Sequence, residues 1–106
     1  MGRRLLPSEQ KEHHIESYLV KKIKELGGIP YKFTSPQRRS VPDRMCVLPQ
    51  GHVVFVECKR PGAVPTDAQY RELERLSNLG QWACWVATYG EVDKIFNFWK
   101  ERLADG

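Results

Sequence analysis

The chain has 106 residues, of which 41% are hydrophobic and 10% aromatic, so its length and composition support one small globular domain with a single core. The formal net charge of +4 permits binding to nucleic acid without demanding it. No apolar run approaches the roughly 20 residues that a membrane-spanning helix requires, which argues against a membrane partner.

Helix and loop signals organise the first part of the chain. Apolar residues at helical spacing predict a first helix that is capped by Ser8 and runs to about Leu26, where Gly27-Gly28 ends it. Residues 29–34 are typical of a first strand. Residues 35–42 are polar and basic and include two prolines, so they predict a loop.

Three further strands and two helices are predicted after this loop. Residues 44–48 and 53–59 are expected to pair as a hairpin. Thr66 caps the next helix, and Gln69 completes a Thr-x-x-Gln capping box. A fourth strand at residues 82–88 precedes an amphipathic last helix. The order of helix, three strands, helix, strand and helix predicts an α/β fold in which helices flank a small mixed sheet.

The cysteines indicate a reducing environment. Cys46, Cys58 and Cys84 are odd in number, lack CxxC spacing and lie in apolar, strand-like segments. These features are typical of reduced thiols in a cytosolic protein. The N-terminus has no hydrophobic stretch of signal-peptide length, so we expect the protein to stay in the cytoplasm.

An acidic pair is the most informative feature of the sequence. Asp43 follows Pro42, and fourteen residues after Asp43 the segment Glu57-Cys58-Lys59 ends an otherwise apolar strand. Charges in such a strand are costly unless something pairs with them. Because side chains alternate along a strand, Glu57 and Lys59 share one face and the Cys58 side chain points away. The backbone carbonyl of Cys58 can still turn toward an ion held by the two acids.

Carboxylate and carbonyl oxygens of this kind suit Mg²⁺ or Mn²⁺. Such an ion lowers the pKa of a bound water and neutralises charge on a phosphate, while Lys59 positions the water or stabilises the transition state. Each motif alone has an ordinary explanation, since Asp after Pro often starts a strand and Glu-x-Lys often lies on a solvated edge. Together, on an apolar strand behind a hairpin, they predict a site that hydrolyses phosphodiester bonds.

A third acid is expected from the first helix. At about 100° per residue, Glu12 projects close to the apolar face, beside Ile23. Glu16 lies further toward the flank and is more readily explained as a solvated carboxylate. The pattern favours Glu12 and leaves Glu16 open.

Other polar residues surround this motif. Gln69 is explained about equally well as a capping residue and as a side chain placed near a metal-bound water. Four arginines, Arg38, Arg39, Arg44 and Arg60, flank the acids and suit contacts with DNA phosphates. Any one of them alone is equally well an ordinary surface charge, so the cluster carries the prediction.

These residues resemble a known family, the VRR-Nuc domain of the PD-(D/E)xK nuclease superfamily, in its stand-alone phage and bacterial type. The resemblance covers roughly residues 9–96 and rests on four sequence blocks and on the sequence between them. The blocks are Glu12-x-x-Ile15, Val41-Pro42-Asp43-Arg44, Val56-Glu57-Cys58-Lys59 and Gln69. It implies the αβββαβ restriction-endonuclease-like core, in a bacterial or phage-infected cell.

The resemblance also implies roles for individual residues. Asp43, Glu57 and the carbonyl of Cys58 would bind Mg²⁺ or Mn²⁺, without an organic cofactor. Lys59 would be the catalytic lysine, Glu12 the helix acid and metal-site member, and Gln69 an accessory. The same positions resemble Holliday-junction resolvases, and stand-alone members of the family resemble homodimers that cut four-way junctions.

Three functions follow as hypotheses. The first is a divalent-metal-dependent DNA endonuclease that acts on branched DNA such as four-way junctions, because a lone domain has little surface for reading sequence. The second is a flap, nick or general duplex nuclease subunit of a phage or restriction system. The third is a non-catalytic DNA-binding module, which the intact set of Asp43, Glu57 and Lys59 argues against.

Overall fold

The computed structural model describes residues 5–6 and 9–106. Seven helices and strands follow one another in the predicted order within these residues. They are α1 (Glu12–Glu25), β1 (Ile29–Lys32), β2 (Arg44–Leu48), β3 (His52–Cys58), α2 (Asp67–Asn78), β4 (Trp82–Val86) and α3 (Tyr89–Asp105). In this part of the chain no helix is long and apolar enough to span a membrane.

The first helix starts later than its sequence pattern predicts. The predicted cap, Ser8, lies outside the described residues, and α1 begins at Glu12 after Lys11, whose N–H donates to His14 Nδ1 at 2.9 Å. The helix ends as predicted at two glycines. Gly27 adopts a left-handed φ of 83°, and a Cβ on Gly28 would stand 2.7 Å from the carbonyl oxygen of Val47.

The four strands form one mixed sheet in the order β1-β2-β3-β4, which confirms the predicted α/β architecture. The first three strands are antiparallel, and β2 and β3 form the predicted hairpin across a short 3₁₀ turn at Pro49–Gly51. Gln50 in this turn has a φ of 66°. Because α2 connects β3 to β4, these two strands run parallel.

The core lies between the sheet and the helices α1 and α3. From α1, Ile15, Leu19 and Ile23 recur every four residues, so one face of the helix packs on the sheet. The alternate residues Val54, Val56 and Cys58 of β3 point into the same core. Glu57 lies between two of them in sequence and therefore points to the opposite face, where Gln69 of α2 contacts it.

Candidate active site

Strand pairing brings the two predicted acids together. Arg44 pairs with Val56 in the antiparallel register, so Asp43, one residue earlier, lies opposite Glu57. The Cys58 N–H donates to Asp43 Oδ2 at 2.7 Å. This bond fixes the Asp43 carboxylate at the end of β3, where the chain also carries Glu57 and Lys59.

The Glu57 carboxylate is the most deeply buried acid of the group, with 3% of the residue exposed. Its Oε2 accepts a hydrogen bond from Gln69 Nε2 at 2.9 Å and lies 3.5 Å from Lys59 Nζ. Burial raises the pKa of Glu57 from 4.5 to about 7; the charge of Asp43 adds to the shift and Lys59 opposes it. A cation bound at this point would favour the ionised carboxylate.

Lys59 lies just beyond the last residue of β3 and is held by its backbone. Its N–H donates to the Val86 carbonyl at 2.8 Å, which extends the pairing of β3 with β4. The side chain is 15% exposed and points to the same face as Glu57, as the alternation predicts. An ammonium at this end of β3 can form an ion pair with a phosphate without a change in the backbone.

The Cys58 side chain is fully buried in the core on the other face. Burial and then the charge of Asp43 raise the pKa of this thiol far above its ordinary value, so the sulfur stays protonated. The sulfur is therefore unsuited to bind metal, and only the backbone carbonyl remains available for the role predicted from the sequence.

Gln69 performs two functions with one side chain. Its side-chain Oε1 accepts from the Thr66 backbone N–H at 2.9 Å, and the Gln69 backbone N–H donates to Thr66 Oγ1 at 3.1 Å. These two bonds confirm the capping box of α2. Its Nε2 donates to Glu57. The two explanations left open by the sequence are thus compatible, and a role for Gln69 beside a bound water stays a prediction.

The two candidate helix acids have different surroundings. Glu16 accepts from Arg44 Nε at 2.8 Å and from Lys32 Nζ at 2.9 Å. Burial raises the pKa of Glu16, but the hydrogen bond from Lys32 and the charge of Arg44 outweigh it, and the net shift is downward. Glu12 is exposed and, among the described residues, forms no ion pair.

Glu12 nevertheless acts on the site at a distance. Its charge contributes to the raised pKa of Glu57, after burial and the charge of Asp43. The helix that carries Glu12 packs on the face of the sheet opposite to Glu57. The role of Glu12 as the helix acid stays a prediction.

The four arginines predicted to contact DNA fall into two groups. Arg44 is 20% exposed and its guanidinium donates to Glu16 and, at 2.9 Å, to the Pro30 carbonyl. Arg38 donates through Nε and Nη2 to Glu72 Oε1 at 3.2 and 3.0 Å. Arg39 and Arg60 are exposed. The first two therefore also hold the fold together, whereas the last two are open to solvent.

Three further charged residues lie near this region and were not predicted from the sequence. Arg71, Glu72 and Arg75 lie on α2 and line a cleft together with Arg38 and Arg39. Ala68 lines the same cleft, so the positions 68, 71, 72 and 75 form a stripe at helical spacing. This stripe was visible in the sequence, but nothing local indicated which surface it would face.

The donor set fits a hard divalent cation held in part by its substrate. Among residues 5–6 and 9–106, no three acidic, histidine or cysteine side chains converge to hold a metal ion by themselves. Mg²⁺ is commonly bound by one or two carboxylates, with waters and substrate phosphates as the other ligands. Asp43 and Glu57 supply two carboxylates of this kind, and the Cys58 carbonyl is the nearby backbone oxygen.

Comparison with known proteins finds similarity to a curated phage protein and to a solved structure. The chain is 54% identical over 70 residues to "Putative nuclease p44" of Acyrthosiphon pisum secondary endosymbiont phage 1, which covers 66% of the chain and 75% of the relative. A solved structure described as "VRR_NUC domain" is 31% identical, with a TM-score of 0.78. The match covers 83% of this chain and 96% of that one. No protein-family model matches the chain.

Proposed function

The chain belongs to the VRR-Nuc family of nucleases, and from this premise we propose that it is a divalent-metal-dependent DNA endonuclease. The observation that carries the proposal is the meeting of Asp43, Glu57 and Lys59 at one end of the hairpin. The Cys58 N–H holds the Asp43 carboxylate at 2.7 Å, and Glu57 Oε2 lies 3.5 Å from Lys59 Nζ. Two carboxylates and a lysine fixed in this way suit phosphodiester hydrolysis.

The two acids have complementary roles in this proposal. Asp43 and Glu57, with the Cys58 carbonyl, would hold Mg²⁺ or Mn²⁺. When bound, such an ion activates a water molecule and offsets the charge that builds up on the phosphate. Gln69 keeps the Glu57 carboxylate in place through its amide, so the buried acid does not rotate away from the site.

Lys59 acts on the phosphate itself or on the attacking water. The ion pair with Glu57 keeps the Lys59 ammonium at the site before substrate binds. A preorganised positive charge stabilises the transition state because it needs no reorganisation while the bond breaks. Glu12, at the start of α1, would be the helix acid of the predicted set, acting on the site through its charge.

The substrate class we propose is branched DNA, with the four-way junction as its main example. The domain is small, so recognition rests on phosphate contacts and DNA shape. Symmetric cutting of a junction requires two active sites, which a C₂ homodimer supplies. An exposed aromatic patch supports this assembly: Trp82 on the edge strand β4 is 42% exposed and Phe98 on α3 is 45% exposed.

Cleavage of a labelled four-way junction beside linear duplex of the same sequence tests the proposal. We expect paired cuts in the junction with Mg²⁺ or Mn²⁺, none with EDTA, and none from an Asp43→Asn variant purified in the same way. Cutting of both substrates would favour the general duplex, flap or nick nuclease of a phage or restriction system. Binding without cutting under any metal would favour the non-catalytic DNA-binding module.

A further inference from the structure

A second charged surface lies beside the proposed catalytic residues. It is a cleft of about 400 Å³ between the loop at residues 37–40 and one face of α2. Its charged lining consists of four arginines and one glutamate, Arg38, Arg39, Arg71, Arg75 and Glu72. The lining does not include Asp43, Glu57 or Lys59, so the cleft is distinct from the catalytic group.

A nearly buried carboxylate organises this cleft. Glu72 is 8% exposed and accepts two hydrogen bonds from the Arg38 guanidinium on one oxygen. The same oxygen lies 3.6 Å from Arg75 Nε. A guanidinium held in this way has already lost much of its rotamer freedom, so less entropy is lost when an anion binds it.

The remaining charge in the cleft is not balanced by the residues that the structure describes. Arg39 and Arg71 are exposed and form no ion pair among the described residues. Four positive side chains therefore share one negative partner, and a bound anion would relieve their mutual repulsion. The planar fork of arginine matches the oxygens of a phosphate group better than an ammonium does.

Both walls of the cleft lead directly to the catalytic residues. Ser40 lines one wall, and the same loop reaches Asp43 three residues later. Ala68 lines the other wall and is followed by Gln69, whose amide contacts Glu57. A DNA strand whose cut phosphate lies at Asp43 and Glu57 would therefore bring a neighbouring part of its backbone to the cleft.

We propose that this cleft is a second phosphate-binding site that holds the DNA backbone next to the phosphate that is cut. Arg39 and Arg71 supply open guanidinium groups, Arg38 is positioned by its hydrogen bonds to Glu72, and Arg75 lies beside the same carboxylate. The assignment rests on the proposed DNA nuclease function, which it extends from the reacting group to the path of the strand. Arg71 and Arg75 belong to the cleft and not to the catalytic group, so substituting them tests the cleft separately.

Binding of a labelled four-way junction in EDTA, followed by anisotropy over a salt series, tests the site. An Arg71→Gln/Arg75→Gln variant should bind at least about tenfold more weakly and lose about 2 from the slope of log K against log salt, since each phosphate contact contributes about 0.9. A Lys21→Gln/Lys24→Gln variant removes the same charge from exposed positions of α1 and should change both values little. Thermal melting of all proteins checks the fold.

Neutral phosphate replacements locate the contact on the DNA. Single methylphosphonates placed around the cut position should weaken binding of the unchanged protein at one or two phosphates beside the cut. The same replacements should have little further effect on the Arg71→Gln/Arg75→Gln variant, because the two changes remove the same interaction. Additive losses would overturn the proposed contact.

The outcomes separate this inference from the proposed function. If the unchanged protein cuts DNA but the cleft variant binds like the unchanged protein or like the lysine control, the cleft assignment is wrong and the nuclease stands. If the unchanged protein binds through the cleft but never cuts, the phosphate site stands and the catalytic proposal fails. Competition by poly-glutamate that exceeds competition by an oligonucleotide of equal charge would assign the cleft to an acidic protein and overturn our proposal.

Discussion

Asp43 combines a structural contact with a charge, and a single substitution separates the two. An Asn at this position retains an oxygen that can accept the Cys58 N–H but loses the negative charge. We expect Asp43→Asn to fold and to lose at least about 100-fold in Mn²⁺ affinity, a loss at the upper end of that seen when even an outer-shell partner of a metal site is removed. Calorimetric titration measures this, with Asp105→Asn as a charge control.

Lys59 should affect the rate far more than binding. Its ammonium lies 3.5 Å from Glu57, and its backbone is anchored to Val86 independently of the side chain. We expect Lys59→Ala to lower the cleavage rate by about 10²–10³-fold, as for loss of one preorganised donor. Junction affinity in EDTA should change little. Loss of both binding and thermal stability would instead make Lys59 a structural residue.

At the scale of elements, α2 is connected to the active site through its first turn. Thr66 and Gln69 cap the helix, and only Gln69 also reaches Glu57. The cap stabilises the helix, whereas the second contact holds a catalytic carboxylate. Substitution at either position should therefore lower stability, and only substitution of Gln69 should also affect activity.

We expect Thr66→Ala and Gln69→Ala each to lower the free energy of unfolding by about 0.5–2 kcal/mol, the usual range for a lost cap. Gln69→Ala should in addition reduce metal-dependent cleavage at saturating DNA. Thr66→Ala should leave that rate close to normal, and it serves as the matched control. Equal rates for the two variants would show that Gln69 acts on the helix alone.

Glu16 joins α1 to two strands and predicts a pH dependence of stability. Its folded pKa is lowered, so its contribution is present above the ordinary pKa of 4.5 and is lost as the pH falls through the folded pKa. Loss of its two charged hydrogen bonds in Glu16→Gln should destabilise the protein by about 1–3 kcal/mol at pH 7.

Urea unfolding at several pH values measures this effect. The difference between the unchanged protein and Glu16→Gln should shrink as the pH falls below 4.5. Glu25→Gln is the control, since among the described residues the Glu25 carboxylate forms only a surface contact of 3.5 Å with Lys22 on the same helix, and such pairs contribute little. A constant difference at every pH would separate the stabilising role of Glu16 from its charge.

At the scale of the whole molecule, one edge of the sheet carries exposed aromatic rings. The ring centroids of Trp82 on β4 and Phe98 on α3 lie 5.4 Å apart, and the Arg102 guanidinium lies over both rings. β4 is an edge strand, so this surface is open to a second molecule. It is the described apolar surface that best suits the proposed homodimer.

We expect Phe98→Lys to shift a dimer to a monomer, because a charge would be buried at the contact between the two copies. Sedimentation velocity over a range of concentrations measures the change. Tyr31→Lys is a matched control, since Tyr31 is an exposed aromatic residue on the opposite edge strand β1. A dimer that persists in Phe98→Lys, or dissociates equally in Tyr31→Lys, would place the interface elsewhere.

The sequence by itself determined the features that depend on local periodicity and spacing. The alternation of β3 placed Glu57 and Lys59 on one face, and the hairpin brought Asp43 opposite Glu57. The Thr66 cap was equally predictable from the sequence, because capping involves residues only three positions apart. The start of α1 was harder to predict, because its N-cap residue, Lys11, is not one of the residue types that favour helix starts.

Only the tertiary structure decided which distant side chains meet. Arg38 with Glu72, Arg44 with Glu16 and Gln69 with Glu57 join elements far apart in the chain, so no periodic pattern contains them. Two predicted DNA contacts are thereby tied into the fold, and an arginine-lined cleft appears beside the site. The pKa of Glu57 near 7 has the same origin, because burial and neighbouring charge are properties of the packed protein and not of the residue.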